Sequence, residues 1–529
     1  MRVKYSDDPR KFIESEADLD FELKGLVVLT TNPGLFYPEL VKVGSVNSLI
    51  GLLSHENADI ASATIELIEE LTDDDVLDAG ENLEDEEEER EDGQVERNGQ
   101  EGMRLFVDSL AENQILELLV SNLQRFKDEP VSEANGAAAE GRAQEEEETD
   151  AQAIFHTLGA LENLVSFKPS LAESLVQETE FLKWTLERVK RKGGYDQNKG
   201  YAGEMLAIVL SSSEKNRRRV GQVGGIDVLL GVLAQYRKRD PIDADETEFM
   251  ENIFDALCSC LSLDENKALF FEGEGVELMV IIMKEKRMSR LRSIKVLNHA
   301  LSGPGGSKNC VKFIESLGLK TLFSAFMGKG STANGSKAKK RKKAEAASTT
   351  TLEDEEHILG IIVSLLNNLE SESAERIRLL SKFVEEEYEK VDRLLEVREN
   401  LVSRIQSVET GIEKEKKELE EEGIEIGDEE QEVFYLRRLE NGLFSLQLVD
   451  YITAWICMED DGVRAHVKML LERKGSGLED VIQVLKEYHD NMGDESVAIG
   501  SEREERGEKQ TEVKTKDIIV ALVNFLLAS

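Results

Sequence analysis

The chain has 529 residues, 40% of them hydrophobic, and its 108 Asp and Glu residues outnumber its 65 Lys and Arg residues, which gives a formal charge of −43. This balance argues against bare DNA or RNA as the main partner, because phosphate binding depends on Lys and Arg, and it favours a basic partner. The low content of proline and of aromatic residues favours long helices over a β-sandwich.

The length exceeds what one hydrophobic core supports, which predicts several domains or one elongated repeat array. The four cysteines contain no Cys-x-x-Cys pair, so the sequence supports neither a zinc ribbon nor a redox motif and indicates a reducing compartment. No apolar run reaches the roughly 18 residues that a membrane span needs. The polar N-terminus does not resemble a secretory signal.

Residues 1–43 are predicted to form a helical capping segment. After it, Val46, Leu49, Ile50 and Leu53 follow the i, i+3, i+4, i+7 spacing of an amphipathic helix. A second apolar stripe lies between residues 60 and 71. The same couplet of stripes recurs at residues 226–233 with 249–261, 276–283 with 291–301, and 319–326 with 358–369, with divergent copies at 115–165 and 181–210.

A glycine precedes the first stripe of each clear couplet, namely Gly44, Gly225, Gly275 and Gly318, and the last three are 50 and 43 residues apart. This spacing is close to the period of about 40–47 residues of armadillo and HEAT arrays. We expect the glycines to form sharp turns, often with positive φ. The predicted fold is all-α: a right-handed armadillo/HEAT-type α-solenoid over residues 44–370 with a C-terminal helical cap.

Three inserts interrupt the array, near 80–101, 128–150 and 328–352, and we expect them to be disordered because they bury little apolar surface. Two are acidic, and they are either solvated segments or decoys for basic peptides. The third carries a basic cluster of Lys337, Lys339, Lys340, Arg341, Lys342 and Lys343. This cluster fits a nuclear import signal, a solubilising loop, or a segment that folds over an acidic groove.

Residues 371–492 are predicted to form a domain of long helices. Apolar residues from Ile377 to Ile412 follow heptad spacing, with polar interruptions at Glu387 and Arg398. Two interpretations remain: a coiled coil that makes a homodimer, and an antiparallel helical hairpin packed on the end of the array. Residues 493–516 are predicted to be a flexible linker, and 517–529 a last apolar helix that docks on the array or on a partner.

No catalytic motif emerges: there is no Walker loop, no Gly-x-Ser-x-Gly elbow and no His-Glu-x-x-His pair. We therefore predict no enzyme, no cofactor and no metal.

In an armadillo superhelix the last helix of each repeat lines a concave groove. Here those helices carry carboxylates and amides, which fit the Lys and Arg side chains and the main chain of an extended peptide. Alternatively they are ordinary solvated faces. The candidate peptide-binding residues are Glu66, Glu69, Glu70, Glu162, Asn163, Glu251, Asn252, Asp255, Asn298, Asn367 and Asn368.

Short segments between Arg10 and Asp494 resemble the beta-catenin-like protein 1 family. They are residues 12–16 (FIESE), 48–55 (SLIGLLSH), 70–73 (ELTD), 257–261 (LCSCL), 273–275 (GEG), 303–306 (GPGG) with Asn309 and Cys310, 389–394 (EKVDRL) and 434–439 (FYLRRL). The resemblance implies an armadillo-type nuclear protein associated with the spliceosome through the nineteen complex. It also implies binding to basic, nuclear-localisation-like segments of splicing factors, including the cell-division-cycle-five-like Myb factor.

Two departures from the family pattern bear on function. The family carries a lysine-rich stretch upstream of its first helix, which is missing here, lies outside this sequence, or is replaced by the basic cluster at 337–343. Vertebrate members of the family also bind the antibody-diversifying cytidine deaminase, and we do not infer that partner for this chain. A karyopherin-like import adaptor is the alternative function, but it requires a ladder of tryptophans, and Trp184 and Trp455 do not recur at repeat spacing.

Overall fold

A computed structural model describes most of the chain: residues 12–78, 92–127, 137–285, 287–328, 343–421, 427–492 and 515–528. These residues form helices and connecting turns, with no strand among them, as the sequence predicts. None of the helices that this part of the chain forms is both long enough and apolar enough to cross a membrane.

The chain divides into two compact units, Met1–Leu269 and Phe270–Ser529, with the boundary inside α15 (Asp264–Glu272). Unit 1 contains α1 Ile13–Gly25, α2 Pro33–Val43, α3 Ser45–Leu52, α4 Ala58–Thr72, α5 Asp75–Asp78, α6 Asp92–Glu112, α7 Ile115–Arg125, α8 Ala137–Phe167, α9 Leu171–Glu178, α10 Phe181–Lys190, α11 Gln197–Ser212, α12 Glu214–Gln222, α13 Gly225–Leu233 and α14 Ala244–Cys260. Unit 2 contains α16 Gly275–Lys284, α17 Ser289–Leu301, α18 Ser307–Glu315, α19 Gly318–Phe326, α20 Lys343–Asn368, α21 Ala374–Val384, α22 Glu389–Glu421, α23 Asp428–Glu440, α24 Leu443–Glu459, α25 Asp461–Arg473, α26 Leu478–Asn491 and α27 Thr515–Ala528.

Within each unit, the second helices of the predicted couplets pack side by side. In unit 1, α8 packs on α4, α11 on α8, and α14 on α11. In unit 2, α20 packs on α17, and α24 packs on α20. The apolar stripes behind these helices are buried; in α14, for example, Phe249, Ile253 and Leu257 are almost completely buried. In α14 the helical spacing of the sequence therefore identifies the core residues correctly.

The four glycines begin helices as expected, but not all for the expected reason. Gly44 has φ 78° at the start of α3. At the start of α16 the positive φ falls on Glu274, at 57°, and not on Gly275. A Cβ on Gly275 would overlap the ring of the buried Phe270. Gly275 is thus required by close packing, so the prediction of a positive φ there is wrong.

The inserts predicted to be disordered overlap helices at their C-terminal ends. Residues 92–101 belong to α6, 137–150 to α8 and 343–352 to α20, while most of the remainder lies outside the described residues. Each overlap is the beginning of a helix whose later turns are buried. Packing of those later turns offsets the cost of starting the helix further upstream, which composition alone does not reveal.

The predicted heptad segment is broken where Glu387 lies. α21 ends at Val384, Glu387 has φ 55°, and α22 begins at Glu389. In α21 the register differs from the prediction, because Leu379 is buried and Ile377 is 57% exposed.

The seam of α22 is covered from within unit 2, by α23, α24 and α25. This agrees with the intramolecular interpretation, and a homodimer stays a prediction. The last helix, α27, packs on α24 and α26.

Arg398, the second interruption, is a buried structural residue. Its Nε and Nη2 donate to the two carboxylate oxygens of Asp450 in α24, at 2.6 and 3.1 Å. The Asp450 side chain is completely buried, and that of Arg398 is 8% exposed. A bidentate pair of this kind is satisfied only while both partners are present.

Candidate peptide-binding face

The helices α4, α8, α11 and α14 of unit 1 carry most of the predicted site. We call their carboxylates the acidic row, defined as Glu66, Glu69, Glu70, Glu162, Glu204, Glu248, Glu251 and Asp255. Neither α4 nor α14 contains Lys or Arg. The single cation of α11, Lys199, is buried. Among the described side chains of α8, the one basic group is His156, which bonds Glu69. The row therefore keeps a net negative charge, which attracts cationic ligands.

The first part of the row is the contact between α4 and α8. Glu69 Oε2 lies 2.5 Å from Nδ1 of His156. The Glu69 side chain lies across Gly159, where a Cβ would overlap it. Asn163 donates from Nδ2 to the main-chain oxygen of Glu69 at 3.1 Å. The sequence thus places a glycine where two helices approach closely and a carboxylate passes between them.

His156 is held in a strongly negative environment. The hydrogen bond to the Glu69 carboxylate raises the pKa of His156 above its ordinary value, and Glu66 and Glu70 raise it further, against an opposing effect of burial. Glu66 and Glu70 themselves are exposed. These two carboxylates are available to a ligand, whereas Glu69 already bonds His156.

The second part of the row is the contact between α8 and α11. The Tyr201 hydroxyl donates to Oε2 of Glu162 at 2.5 Å, and the ring of Tyr201 lies 5.1 Å from that of Phe155, at an angle of 56°. Burial raises the pKa of the nearby Glu204, and Glu162 and Glu248 raise it further. Burial is the larger cause of this shift, and a bound cation would relieve the smaller part that comes from the neighbouring carboxylates.

The third part of the row lies on α14. Glu251, Asn252 and Asp255 are half-buried and Glu248 is exposed, and α14 packs directly on α11. The structure therefore brings the eight predicted site residues of unit 1 onto three helices, α4, α8 and α14, which α11 joins into one continuous set.

The three predicted amides of unit 2 have bonds inside that unit. Asn298 Nδ2 lies 3.4 Å from Nδ1 of His357. Burial lowers the pKa of His357 to about 4, so its neutral ring accepts this bond. Asn367 accepts from the Tyr451 hydroxyl at 2.6 Å. Asn368 donates to main-chain oxygens at residues 301 and 303, both at 2.9 Å. These bonds engage the three amides within unit 2, and a role in peptide binding stays a prediction for them.

The candidate import signal lies largely outside the described residues. This applies to Lys337, Lys339, Lys340, Arg341 and Lys342, while Lys343 is the first residue of α20. Its role stays a prediction.

Sequence reasoning missed five residues of this face: Phe155, His156, Tyr201, Glu204 and Glu248. One local signal was present, because Phe155 and Glu162 are seven residues apart and Tyr201 and Glu204 three apart, which places each pair on one helical face. Nothing in the sequence indicates that the first pair lies against the second, since that contact depends on how α8 and α11 pack.

Comparison with known proteins identifies relatives along nearly the whole chain. A family model described as catenin-beta-like, Arm-motif containing nuclear matches residues 1–486. The chain is 38% identical over 526 residues to beta-catenin-like protein 1 of Mus musculus, covering 99% of this chain and 83% of that protein. It is 38% identical over 495 residues to the Homo sapiens protein, covering 93% and 79%. The Schizosaccharomyces pombe homolog is 32% identical over 533 residues, covering 100% and 82%.

A solved structure whose title concerns the interaction between cadherin and beta-catenin covers 93% of this chain and 84% of its own, with 12% identity and a TM-score of 0.33. The family match confirms the predicted armadillo-type solenoid, which agrees with the all-helical structure. This chain belongs to the catenin-beta-like family of nuclear, armadillo-motif proteins.

Proposed function

We propose that this protein is a non-enzymatic nuclear scaffold that binds basic, nuclear-localisation-like segments of splicing proteins through the acidic row of unit 1. Its family is one of armadillo-motif nuclear proteins, which supports a protein-binding role. The observation that carries the proposal is the charge of the row: four adjoining helices present carboxylates, and the one Lys among the described side chains of these helices is buried.

In this proposal the ligand is an extended peptide whose Lys and Arg side chains pair with the carboxylates of the row. Glu66 and Glu70 are exposed on α4, and Tyr201 fixes Glu162 on α8. Both helices therefore offer a carboxylate to the basic side chains of the peptide. Asn163 bonds Glu69 through one amide hydrogen, which leaves its other polar groups to hold the peptide main chain. The splicing partners, including the cell-division-cycle-five-like Myb factor of the nineteen complex, follow from the family resemblance.

A karyopherin-like adaptor is a weaker candidate. Such a role needs exposed tryptophans along the binding face. Trp455 is 7% exposed, and its Nε1 donates to Glu459 at 3.0 Å, with Arg376 over its ring. This tryptophan serves the core of unit 2.

A titration of the full chain with a labelled peptide rich in Lys and Arg tests the proposal. We expect the E66K/E70K double variant to weaken binding by about tenfold or more, since it replaces two attractions with two repulsions. The matched control is E117K/E178K, which makes the same change of charge on exposed residues of α7 and α9. The control should change affinity by less than about twofold at physiological salt.

Equal losses in the two double variants would show that the peptide responds only to net charge, and an unchanged affinity in E66K/E70K would refute the assignment of the face.

The splicing connection needs a separate test. Affinity purification from nuclear extract, with and without RNase, should recover splicing proteins in both cases. Recovery of none would contradict this part of the proposal alone.

A further inference from the structure

We infer that Phe155 and Tyr201 make the acidic row selective for arginine over lysine. This inference rests on the proposed function and deepens it, since it specifies which basic side chain the row recognises at the contact between α8 and α11. It is carried by the position of two aromatic rings among carboxylates.

The two rings lie together at the contact between α8 and α11. Their centroids are 5.1 Å apart at 56°, and both side chains are half-buried, whereas the packing aromatic Phe249 of α14 is 2% exposed. A residue that served only the core would be covered as Phe249 is. Part of each ring surface at Phe155 and Tyr201 therefore faces solvent.

Carboxylates lie beside these rings. Tyr201 holds Oε2 of Glu162 through its hydroxyl, and Glu204 stands one helical turn after Tyr201 on α11. No described Lys or Arg forms a salt bridge with Glu162 or Glu204. The hydrogen bond orients the Glu162 carboxylate, and its second oxygen stays available to a ligand.

This combination suits a guanidinium group better than an ammonium group. The guanidinium is planar and weakly hydrated, stacks on aromatic faces, and presents parallel N–H groups to a carboxylate. The ammonium of Lys is a compact, strongly hydrated charge that gains little from an adjacent ring edge or from an oriented carboxylate. Glu66 and Glu70 are exposed on α4, where a carboxylate and a basic side chain pair in water, and they should accept either cation.

The experiment compares two peptides that are identical except that every basic residue is Arg in one and Lys in the other. Both are titrated into the full-length chain, so the net charge of the ligand is constant. We expect the wild type to bind the Arg peptide about tenfold more tightly. In F155L this ratio should fall to about twofold or less, through weaker binding of the Arg peptide and little change for the Lys peptide. Y201F, which keeps the ring but releases Glu162, should give an intermediate ratio.

The matched control is F444L, which makes the same substitution at a Phe on α24 of unit 2 that is 38% exposed. It should leave both affinities unchanged. The readout is a ratio measured on one preparation, so partial unfolding of a variant scales both titrations and does not alter it. Equal affinities of the two peptides for the wild type would overturn the inference and leave the proposed function standing. Equal weakening of both peptides by F155L would also overturn it, whereas failure of both peptides to bind the wild type would overturn the proposed function itself.

Discussion

Polar side chains occur on the adjoining helices of both units, but the two sets are bonded differently. In unit 1, Glu66 and Glu70 are exposed, and burial together with neighbouring carboxylates raises the pKa of Glu204. In unit 2, Asp450 is paired with Arg398, and Asn368 donates to two main-chain oxygens. The comparison indicates that these helices keep exposed carboxylates in unit 1, whereas polar groups of the corresponding helices in unit 2 serve internal cohesion.

The difference has a physical origin in the partners that each helix receives. In unit 2, α24 packs on α20, and the carboxylates of α20 accept hydrogen bonds from other residues of this unit. Glu356 accepts from the Ser445 hydroxyl at 2.9 Å, and Glu355 accepts from Arg393 at 2.7 Å. Covered polar groups must be hydrogen-bonded, because an unpaired one costs free energy. In unit 1, by contrast, Glu66 and Glu70 are exposed on α4, so their charge stays open to a ligand.

The largest effect should come from breaking the buried pair of unit 2. Replacing Asp450 by Ala leaves the Arg398 guanidinium buried without its counter-charge, and we expect a loss of about 3–5 kcal/mol in the free energy of unfolding. Urea unfolding followed by tryptophan fluorescence measures it, in a W184F background where Trp455 of α24 is the sole tryptophan.

The double variant R398M/D450L supplies the control for this pair. It removes both charges and fills the space with apolar groups, so most of the lost stability should return. If D450A proved as stable as the wild type, the pair would have no structural role, and the contrast between the two units would lose its strongest support.

A smaller effect should follow from removing the amide of Asn368. N368A removes two hydrogen bonds, although the carbonyl of Leu301 keeps Cys310 Sγ and that of Gly303 keeps the N–H of Gly306 as donors, and we expect about 1–3 kcal/mol of destabilisation. Binding of a basic peptide should be unchanged. N163A in unit 1 removes one bond, to Glu69, and should cost about 1 kcal/mol or less. Weaker peptide binding by N368A at unchanged stability would return this amide to the binding site.

The pH dependence of peptide binding probes unit 1. Because the pKa of His156 is raised, its charge is lost as pH rises through a value above 6.5, and this removes a cation from the acidic row. Binding of an all-Arg peptide with blocked ends should therefore strengthen by a few-fold between pH 6 and 9. The H156Q variant should bind equally across this range, and a wild-type affinity that does not vary with pH would contradict the prediction.

The same titration has the opposite sign for stability. A raised pKa in the folded state means that the bond between His156 and Glu69 contributes fully below the unfolded value of 6.5, and that this contribution is lost as pH rises through the folded value. Thermal unfolding of the wild type and of H156Q should therefore converge at high pH. Tighter binding together with lower stability would distinguish this histidine from a general change in net charge.

The smallest effect is expected for Gly159→Ala. The added Cβ displaces the end of the Glu69 side chain, which is flexible, and Ala is a better helix former than Gly by about 1 kcal/mol, so stability should change little. The displaced carboxylate should let the pKa of His156 fall towards its ordinary value. An NMR titration of the His156 ring measures the shift, and an unaltered pKa would show that Glu69 does not depend on this close contact.

Local sequence patterns were sufficient for much of the fold. The spacing of Ile226, Leu229, Leu230 and Leu233 predicted a helix because burial of one face follows the 3.6-residue period wherever the chain lies. The same argument failed in α21, where Leu379 and not Ile377 is buried. A short helix offers two plausible apolar faces, and the neighbours that choose between them are distant in sequence.

The acidic character of α4 and α14 could likewise be read from composition, and it pointed to a basic ligand. Which polar groups remain open could not, because that depends on contacts between residues far apart. His156 bonds Glu69, which is 87 positions away along the chain, and Tyr201 bonds Glu162, which is 39 positions away. Asn368 bonds the carbonyl of Leu301, which is 67 positions away. The period and charge of a helix are properties of its own residues, whereas the partner of a side chain is set by the packing of other helices against it.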